Sequence, residues 1–185
     1  MLAVLAWPIS AQQLQPLSAI LLTARADLPD PNFRDAVALL MNNIGPTPTG
    51  VILNRPTRIE VWRLFPELPR LMQFDDKVYF GGPVAILSVS FVFRGDLPAG
   101  ENAVRIFDGV YLSTNLELLQ KLLERDRPME GVRVFIGYSA WAPGQLESEI
   151  ARGDWSLAPA DADTIFADRP EHPWPDAAPD AERRT

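Results

Sequence analysis

The stretch from Val132 to Trp155 constrains the fold of this chain more than any other. It opens with a short, mostly apolar run, Val132 to Ile136, which is typical of a buried strand. Gly137 is expected to end that strand. Pro143 then suits the first position of a helix, because its missing N–H would be unpaired there anyway. The sequence therefore predicts a strand, a tight turn, a helix, and a second strand near Trp155.

The predicted helix carries signals at both of its ends. If Ala142 is the residue that precedes the helix, Trp141 and Leu146 fall at the two positions of a hydrophobic staple. Gly153 would supply a left-handed C-terminal cap after the last turn. These positions predict that Trp141 is mainly structural and packs in the core.

A length of 185 residues fits one domain, which at this size buries roughly 70% of the surface of its unfolded chain. Hydrophobic residues make up 47% of the chain and charged residues 22%, so disorder of the whole chain is excluded. We expect residues 14–169 to form that domain, with a proline-rich acidic tail over residues 170–185. The tail carries prolines too closely spaced for regular packing.

Composition also excludes several classes of site. The chain has no cysteine, so disulfides, thiolate metal sites and thiol catalysis are all absent. Its formal net charge is −7, and residues 161–185 alone hold seven acids against three arginines, a net charge of −4. Nucleic-acid binders normally show a basic footprint, which this sequence lacks, so we do not expect direct nucleic-acid binding.

The first thirteen residues form an apolar run that ends in a small residue at Ala11. The run resembles the hydrophobic part and cleavage site of an export signal without its basic start, so residues 1–13 are interpreted as an intact or truncated signal. The alternatives are a frayed N-terminus or a misassigned start codon. Leu2–Ile9 is too short to span a bilayer, and we expect no transmembrane segment in the chain. The protein would be periplasmic if the signal operates and cytoplasmic otherwise.

Short apolar runs predict further strands along the chain. They are Ala19–Ala24, Val51–Leu53, Val78–Phe80, Val89–Phe93, Val104–Phe107 and Val110–Leu112. Asp108-Gly109, between the last two, is the strongest hairpin signal in the chain. Arg34–Met41 is ambiguous, because its Ala and Leu content favours a helix although the run is short and lies between turns.

Three capping signals predict short helices elsewhere in the chain. Thr57–Glu60 and Thr114–Glu117 both have the spacing of a capping box. The second of these would open a helix that continues through Glu124. Asp161 would cap a last helix that ends near Phe166.

Five local patterns follow one another along the chain. They are Asp30-Pro31-Asn32-Phe33; Gly50-Val51-Ile52-Leu53-Asn54-Arg55-Pro56; Phe80-Gly81-Gly82-Pro83; Asp108-Gly109-Val110-Tyr111-Leu112-Ser113; and Gly137-Tyr138 through Trp141 with Pro143-Gly144-Gln145-Leu146-Glu147. Together, and in this order, they resemble the YqgE/AlgH family of small bacterial proteins over residues 19–167. This chain departs from the family pattern at Ser139 and Ala140, where Ala-Gly is common, at Ala142, where Gly is common, and in its additional N-terminal run.

The resemblance implies a single α+β domain with a mixed, partly barrel-like sheet and a few flanking helices. It also implies that Arg34–Met41 is a strand, against its helix propensity. The biochemical role of the family is not established. Its name suggests transcriptional regulation, and no enzymatic activity follows from membership.

The residues themselves offer little support for catalysis. Gly137 to Trp141 nearly matches the Gly-x-Ser-x-Gly nucleophile elbow, but Trp141 stands where the second Gly is needed. A Ser139 nucleophile would also need a base, and the only histidine is His172 in the tail. The Asp pairs lack the spacing of a calcium loop, and no phosphate-binding glycine loop is present. We therefore expect no catalytic residue, no metal and no cofactor.

A polar set is the remaining candidate for a ligand-binding site. Its members are Asn54, Arg55, Tyr138, Trp141 and Gln145. All lie at expected strand ends or helix starts, where clefts in mixed folds commonly open. Arg55 could hold an anion or a carboxylate, and Trp141 could offer a stacking face. In the alternative interpretation, Asn54-Arg55-Pro56 is a turn whose arginine pairs with Glu147 or Glu149.

Three classes of function remain open on the sequence. A non-catalytic regulatory or protein-interaction module fits the lack of catalytic groups and the acidic tail, and its protein partner is unknown. A binder of a small molecule or anion would use the region of Arg55 and Trp141. A transcriptional regulator is the interpretation that the family name suggests.

Overall fold

The computed structural model describes residues 19–42, 44–97, 102–107 and 109–167. Strands predominate in these ranges, and only 19% of the residues are helical. The strands are β1 Ala19–Ala24, β2 Val37–Met41, β3 Thr49–Ile52, β4 Pro56–Glu60, β5 Lys77–Phe80, β6 Val84–Arg94, β7 Val104–Phe107, β8 Val110–Ser113, β9 Val132–Ala140 and β10 Trp155–Pro159. The α-helices are α1 Leu116–Leu122, α2 Gln145–Ala151 and α3 Ala162–Phe166, and two 3-10 helices cover Val61–Arg63 and Pro69–Gln73.

The strands join into one curled sheet that forms a half-barrel. Their order is β10-β1-β2-β3-β9-β6-β8-β7, and β4 joins through β5, which pairs with β9. The β5–β9 pair is parallel and the other pairs are antiparallel. The expected mixed sheet in a single domain is therefore present, with less helix than an α+β fold suggests.

Strand β9 connects the two halves of this sheet. Its first part pairs with β5 and β6, whereas Ser139 and Ala140 pair with β3. The expectation that Gly137 ends the strand was wrong. Gly137 instead has φ +65°, a conformation that glycine adopts without a steric penalty, and the strand continues beyond it with new neighbours.

The predicted start of the helix after β9 was also wrong. Gly144, not Ala142, is the residue that precedes α2. Its φ of 78° and ψ of −8° are those of the third residue in a type II turn, and Gln145 N–H closes the turn on the carbonyl of Ala142 at 2.9 Å. Pro143 is the second residue of that turn, a position that proline also favours. Gly153 is left-handed, as predicted, with φ 76°.

Two other helix predictions need correction. Thr57–Glu60 lies in β4, which pairs with β5 at Pro56 and Glu60, and only the 3-10 turn Val61–Arg63 follows. The cap of α1 is Asn115, whose side chain accepts from Leu118 N–H at 2.8 Å, and the helix stops before the predicted Glu124. Asp161 caps α3 as predicted, accepting from Thr164 N–H at 2.8 Å.

Two of the remaining sequence predictions are confirmed. Most of the ambiguous segment Arg34–Met41 becomes strand β2, because pairing with β1 and β3 on both sides outweighs its helix propensity. The β7–β8 hairpin forms around the Asp108-Gly109 signal, although Asp108 itself lies outside the described residues.

Residues 1–13 and 170–185, on which the export and tail predictions rest, also lie outside the described residues.

Buried side chains occupy both faces of the curled sheet and fall into three clusters. One of these contains Trp141, Leu146 and Trp155, with Phe33 from the loop before β2. Within the described ranges, no helix is both long and apolar enough to cross a membrane.

Candidate functional site

Asn54 and Arg55, at the end of β3, bind the loop that precedes β2. The Asn54 side chain accepts from Val37 N–H at 3.0 Å and donates to the Asp35 carbonyl at 2.7 Å. The Arg55 guanidinium donates to the carbonyls of Asn32 and Arg34, the latter at 2.7 Å. The loop is therefore held by side chains that follow a different strand.

Burial sets the electrostatics of Arg55. Removal from water lowers the pKa of its guanidinium below the ordinary value, while the nearby charges of Asp35 and Asp30 act in the opposite direction. The sequence allowed a pair between Arg55 and Glu147 or Glu149, but its hydrogen bonds go to loop carbonyls instead. Nη1 and Nη2 of Arg55 therefore already make hydrogen bonds within the chain.

The other side of the same loop packs on two tryptophans. The Phe33 ring is stacked on Trp141 with centroids 5.7 Å apart, and it meets Trp155 edge-on at 5.6 Å. Trp141 is only 1% exposed. Its ring is therefore a core element, and no open face remains for a ligand to stack on.

One carboxylate holds both tryptophans. Oε2 of Glu149, in α2, accepts from the indole N–H of Trp141 at 3.0 Å and from that of Trp155 at 2.8 Å. Its other oxygen accepts from the Gln145 side chain at 2.9 Å. Hydrogen bonds to a charged acceptor are roughly twice as strong as neutral ones, so this contact fixes α2 on the end of the sheet.

The five residues predicted as a ligand site do not form one open cleft. Asn54 and Arg55 hold the loop from one side, while Trp141 and Gln145 belong to the Glu149 network on the other. Tyr138 packs against a different cluster of the core. Ligand binding by this set stays a prediction, and the contacts seen here are internal to the fold.

The two glycine motifs fit against each other backbone to backbone. A Cβ at Gly82 would lie 2.5 Å from the Tyr138 carbonyl, and one at Gly137 would lie 2.4 Å from the Gly82 carbonyl. Real Cβ atoms do not approach this closely. The motif Phe80-Gly81-Gly82-Pro83 therefore serves close packing against β9, which sequence spacing alone did not reveal.

Ser139, the near-match to a nucleophile, is placed in this contact. It is fully buried, and its hydroxyl donates to the Gly81 carbonyl at 3.0 Å. This hydrogen bond gives the hydroxyl a structural role between β9 and the glycine pair. Among the described residues, no group of three or more His, Asp or Glu side chains could hold a metal ion.

The sequence of this chain matches a known family. The sequence profile of the AlgH-like family matches residues 21–183 of this chain. The chain belongs to that family. A UPF0301 protein of Methylococcus capsulatus is 39% identical over 147 residues, covering 79% of this chain and 74% of the relative. A UPF0301 protein of Chlorobium limicola is 36% identical over 157 residues, covering 83% and 81%.

Two solved structures share the fold of this AlgH-like protein. The solution structure of the AlgH protein from Pseudomonas aeruginosa superposes with a TM-score of 0.66 at 26% identity, covering 83% of this chain and 82% of the other. The crystal structure of protein DIP2367 from Corynebacterium diphtheriae gives 0.64 at 28% identity, covering 83% and 81%. The family resemblance predicted from the five motifs is thereby confirmed, and the family remains functionally uncharacterised.

Two features of this AlgH-like protein were missed at the sequence level. The first is a bulge of β6 that exposes Ile86 and Leu87. The second is Arg125, whose guanidinium lacks hydrogen-bond partners at two of its nitrogens within the described structure. The apolar pair soon after Gly81-Gly82-Pro83 was a usable signal for the first, but only tertiary contacts reveal the second.

Proposed function

We propose that this AlgH-like protein is a non-catalytic protein-interaction module, and that it presents the bulge of β6 to a partner protein. The bulge consists of residues 85–88. The observation that carries the proposal is the exposure of Leu87, which is 92% exposed and adjoins Ile86 at 56%. Burial of one such side chain by a partner would contribute about 1.5–3 kcal/mol.

The bulge is a defined feature of the sheet. Val84 pairs with Tyr138 and Val89 with Ile136, so four residues of β6 lie opposite the single residue Gly137 of β9. Bulges often occur where a strand redirects side chains for binding, and they also blunt the pairing of strands. Here the bulge directs an apolar pair to the surface.

The backbone holds the bulge in a strained form. Ala85 has φ +46°, which non-glycine residues adopt at a cost of about 1–2 kcal/mol. A Cβ at Gly137 would lie 3.0 Å from the Val84 carbonyl oxygen and 3.4 Å from Ile86 Cα, so the glycine lets the bulge lie close to β9. Strain of this kind clusters at binding sites, and it supports a binding role for the bulge.

The non-catalytic part of the proposal rests on the same region. Ser139 is buried, and its hydroxyl donates to the Gly81 carbonyl and not to the base that a serine nucleophile needs. Hydrolysis of a panel of ester, phosphoester and amide substrates, with and without divalent metals, tests this part. Turnover that disappears in Ser139→Ala would contradict it.

Photo-crosslinking tests the interaction. A photoreactive amino acid at the exposed Ser88, in the full chain expressed in its native host, should give one discrete adduct with another protein. The same label at Met72, an apolar residue that is 60% exposed elsewhere, should not. The double variant Ile86→Ser and Leu87→Ser should abolish the adduct at position 88 and leave the melting temperature unchanged. Adducts that are equal with and without the apolar pair would contradict the proposal.

Two alternatives have distinct tests. An anion or small molecule held by Arg55 and Trp141 would have to displace the carbonyls of Asn32 and Arg34, so a thermal-shift response lost in Arg55→Lys would favour it. A transcriptional role through direct DNA contact should give a gel shift at low salt. The names of the relatives above mention neither transcription nor export. The transcriptional role and the export signal therefore remain predictions from the sequence.

A further inference from the structure

An open cavity of about 600 Å³ lies where the end of β6, the segment after α1, and α3 meet. It involves none of the residues 85–88 of the proposed interaction surface, although its Arg94 ends the same strand β6. The charged residues that line it are Arg94, Arg125, Asp126, Arg127, Glu130 and Asp163. Three cations and three anions thus share one cavity, and their pairing decides what the cavity can bind.

Two of the three arginines are neutralised within the wall. Arg94 donates to Asp163 at 2.7 Å, and Arg127 donates to Glu130 at 2.8 Å. Asp126 is exposed and makes no ion pair in the described structure. Arg125 is therefore the cation of this cavity that has no carboxylate partner among the described residues.

Arg125 uses only part of its guanidinium. Its Nη1 donates to the Arg94 carbonyl at 3.0 Å, which fixes the orientation of the planar group. Its Nε and Nη2 are both buried and have no hydrogen-bond partner within the described structure. Burial also lowers the pKa of this guanidinium below its ordinary value. A buried donor without a partner is costly, and an uncompensated buried charge is more costly still.

The unsatisfied atoms form one edge of the guanidinium. Nε–H and the nearer N–H of Nη2 point in parallel, and this edge matches two oxygens of a carboxylate or phosphate. Both nitrogens are covered by neighbouring groups, so an anion reaches them only when part of the wall moves. The most exposed charged side chains of this wall are those of Asp163 at 93% and Arg127 at 78%, and Asp126 is also exposed.

We propose that Arg125 anchors a binding site for a small anionic ligand, whose carboxylate or phosphate group takes two hydrogen bonds from the Nε–Nη2 edge. The bound group supplies the counter-charge that the wall does not provide to Arg125. One anionic group is expected at this edge, because the other two arginines already have carboxylate partners. The rest of the ligand occupies the open cavity.

Titration of the full chain with inorganic phosphate and, separately, with acetate tests this site. Ionic strength is held constant with sodium chloride, and the Nε–Hε signal of Arg125 is followed by NMR. We expect a saturable shift of that signal with at least one of the two anions. The anion with the tighter response identifies phosphate or carboxylate as the natural ligand chemistry.

Two variants and a control make the result specific. Arg125→Gln removes the charge, and Arg125→Lys keeps the charge but lacks the two-pronged edge. Backbone amide shifts of Gly131 and Ala167, which line the cavity, report on binding in each variant. Both should weaken binding by about 10–100-fold, the loss expected for charge-assisted hydrogen bonds. Arg70→Gln, at an exposed arginine outside the cavity, should bind as the wild type does.

Three results would overturn the proposal. The first is a shift that does not saturate or that chloride reproduces, because the effect would then be one of ionic strength. The second is unchanged binding in Arg125→Lys. This variant keeps the positive charge, so it still provides the test if Arg125→Gln does not fold. The third is magnetisation transfer from water to Arg125 Hε with no response to either anion, because water would then satisfy that edge.

Discussion

Phe33 and Trp141 stack with their ring centroids 5.7 Å apart and their planes 20° from parallel. The contact joins the loop before β2 to the end of β9, two segments that are more than 100 residues apart in the chain. The same loop is held from its other side by Arg55. Residues of three of the five family-like motifs thus meet at the loop before β2.

Trp141→Ala should lower the free energy of unfolding by about 3–5 kcal/mol, the usual cost of removing a buried aromatic side chain. Trp141→Phe should cost less, because it keeps a ring for stacking on Phe33 and loses mainly the bond to Glu149. Urea denaturation of both variants measures the difference. A midpoint for Trp141→Ala that equals that of the wild type would contradict a structural role for this residue.

Glu149→Ala should destabilise the protein by about 1–3 kcal/mol for each indole N–H that it leaves buried without an acceptor. Glu147→Ala is the matched control, because it removes the same charge from an exposed position of the same helix. Thermal unfolding should show a clear loss for the first variant and a change within about 0.5 kcal/mol for the second. Equal losses of stability in the two variants would mean that the negative charge on the helix, and not the contact with the tryptophans, stabilises the fold.

Gly137→Ala should prevent stable folding, or cost several kcal/mol more than Gly153→Ala. Both glycines have positive φ, so both variants carry the backbone penalty of about 1–2 kcal/mol. Only at Gly137 would the new Cβ meet a carbonyl oxygen, 2.4 Å away, while nothing lies within 4 Å at Gly153. Soluble yield and the chemical denaturation midpoint compare the pair, and similar values would contradict the close backbone contact.

Arg55→Lys should loosen the loop before β2, because lysine lacks the fork that reaches two carbonyls. Amide exchange of Phe33 and Arg34, whose N–H groups donate to the Asp30 carbonyl, should accelerate. Arg70→Lys, at an exposed position outside this region, should leave these rates unchanged. If exchange is unaffected in Arg55→Lys, the loop does not depend on Arg55, and its proposed use by a ligand gains weight.

The cap of α3 predicts a pH dependence. Hydrogen bonds from the Thr164 side chain and backbone lower the pKa of Asp161 below its ordinary value. A lowered pKa stabilises the fold above the unfolded-state pKa, and that contribution disappears as the pH falls through the folded-state value. Asp161→Ala should therefore cost about 0.5–2 kcal/mol at neutral pH and progressively less in acid. Denaturation at a series of pH values checks this, and a constant difference would contradict it.

Local sequence determined the short elements whose signals are complete within a few residues. The strand Ala19–Ala24 was predicted with the bounds that the structure shows. The hairpin around Asp108-Gly109, the cap at Asp161 and the left-handed Gly153 were also predicted. In each case the apolar run, the capping oxygen or the glycine favours the local conformation by itself, so the prediction needed no distant residue.

Tertiary structure decided everything that depends on a distant partner. Thr57–Glu60 has capping-box spacing but lies in a strand that pairs with the distant β5 at Pro56 and Glu60. Gly137 continues a strand because it can approach Gly82 closely, and Arg55 binds a loop 21 and 23 residues away in the chain. The exposure of Leu87 and the unsatisfied edge of Arg125 likewise depend on how distant segments pack. Burial and long-range contact energies exceed local propensities, and a sequence pattern does not state which distant groups will meet.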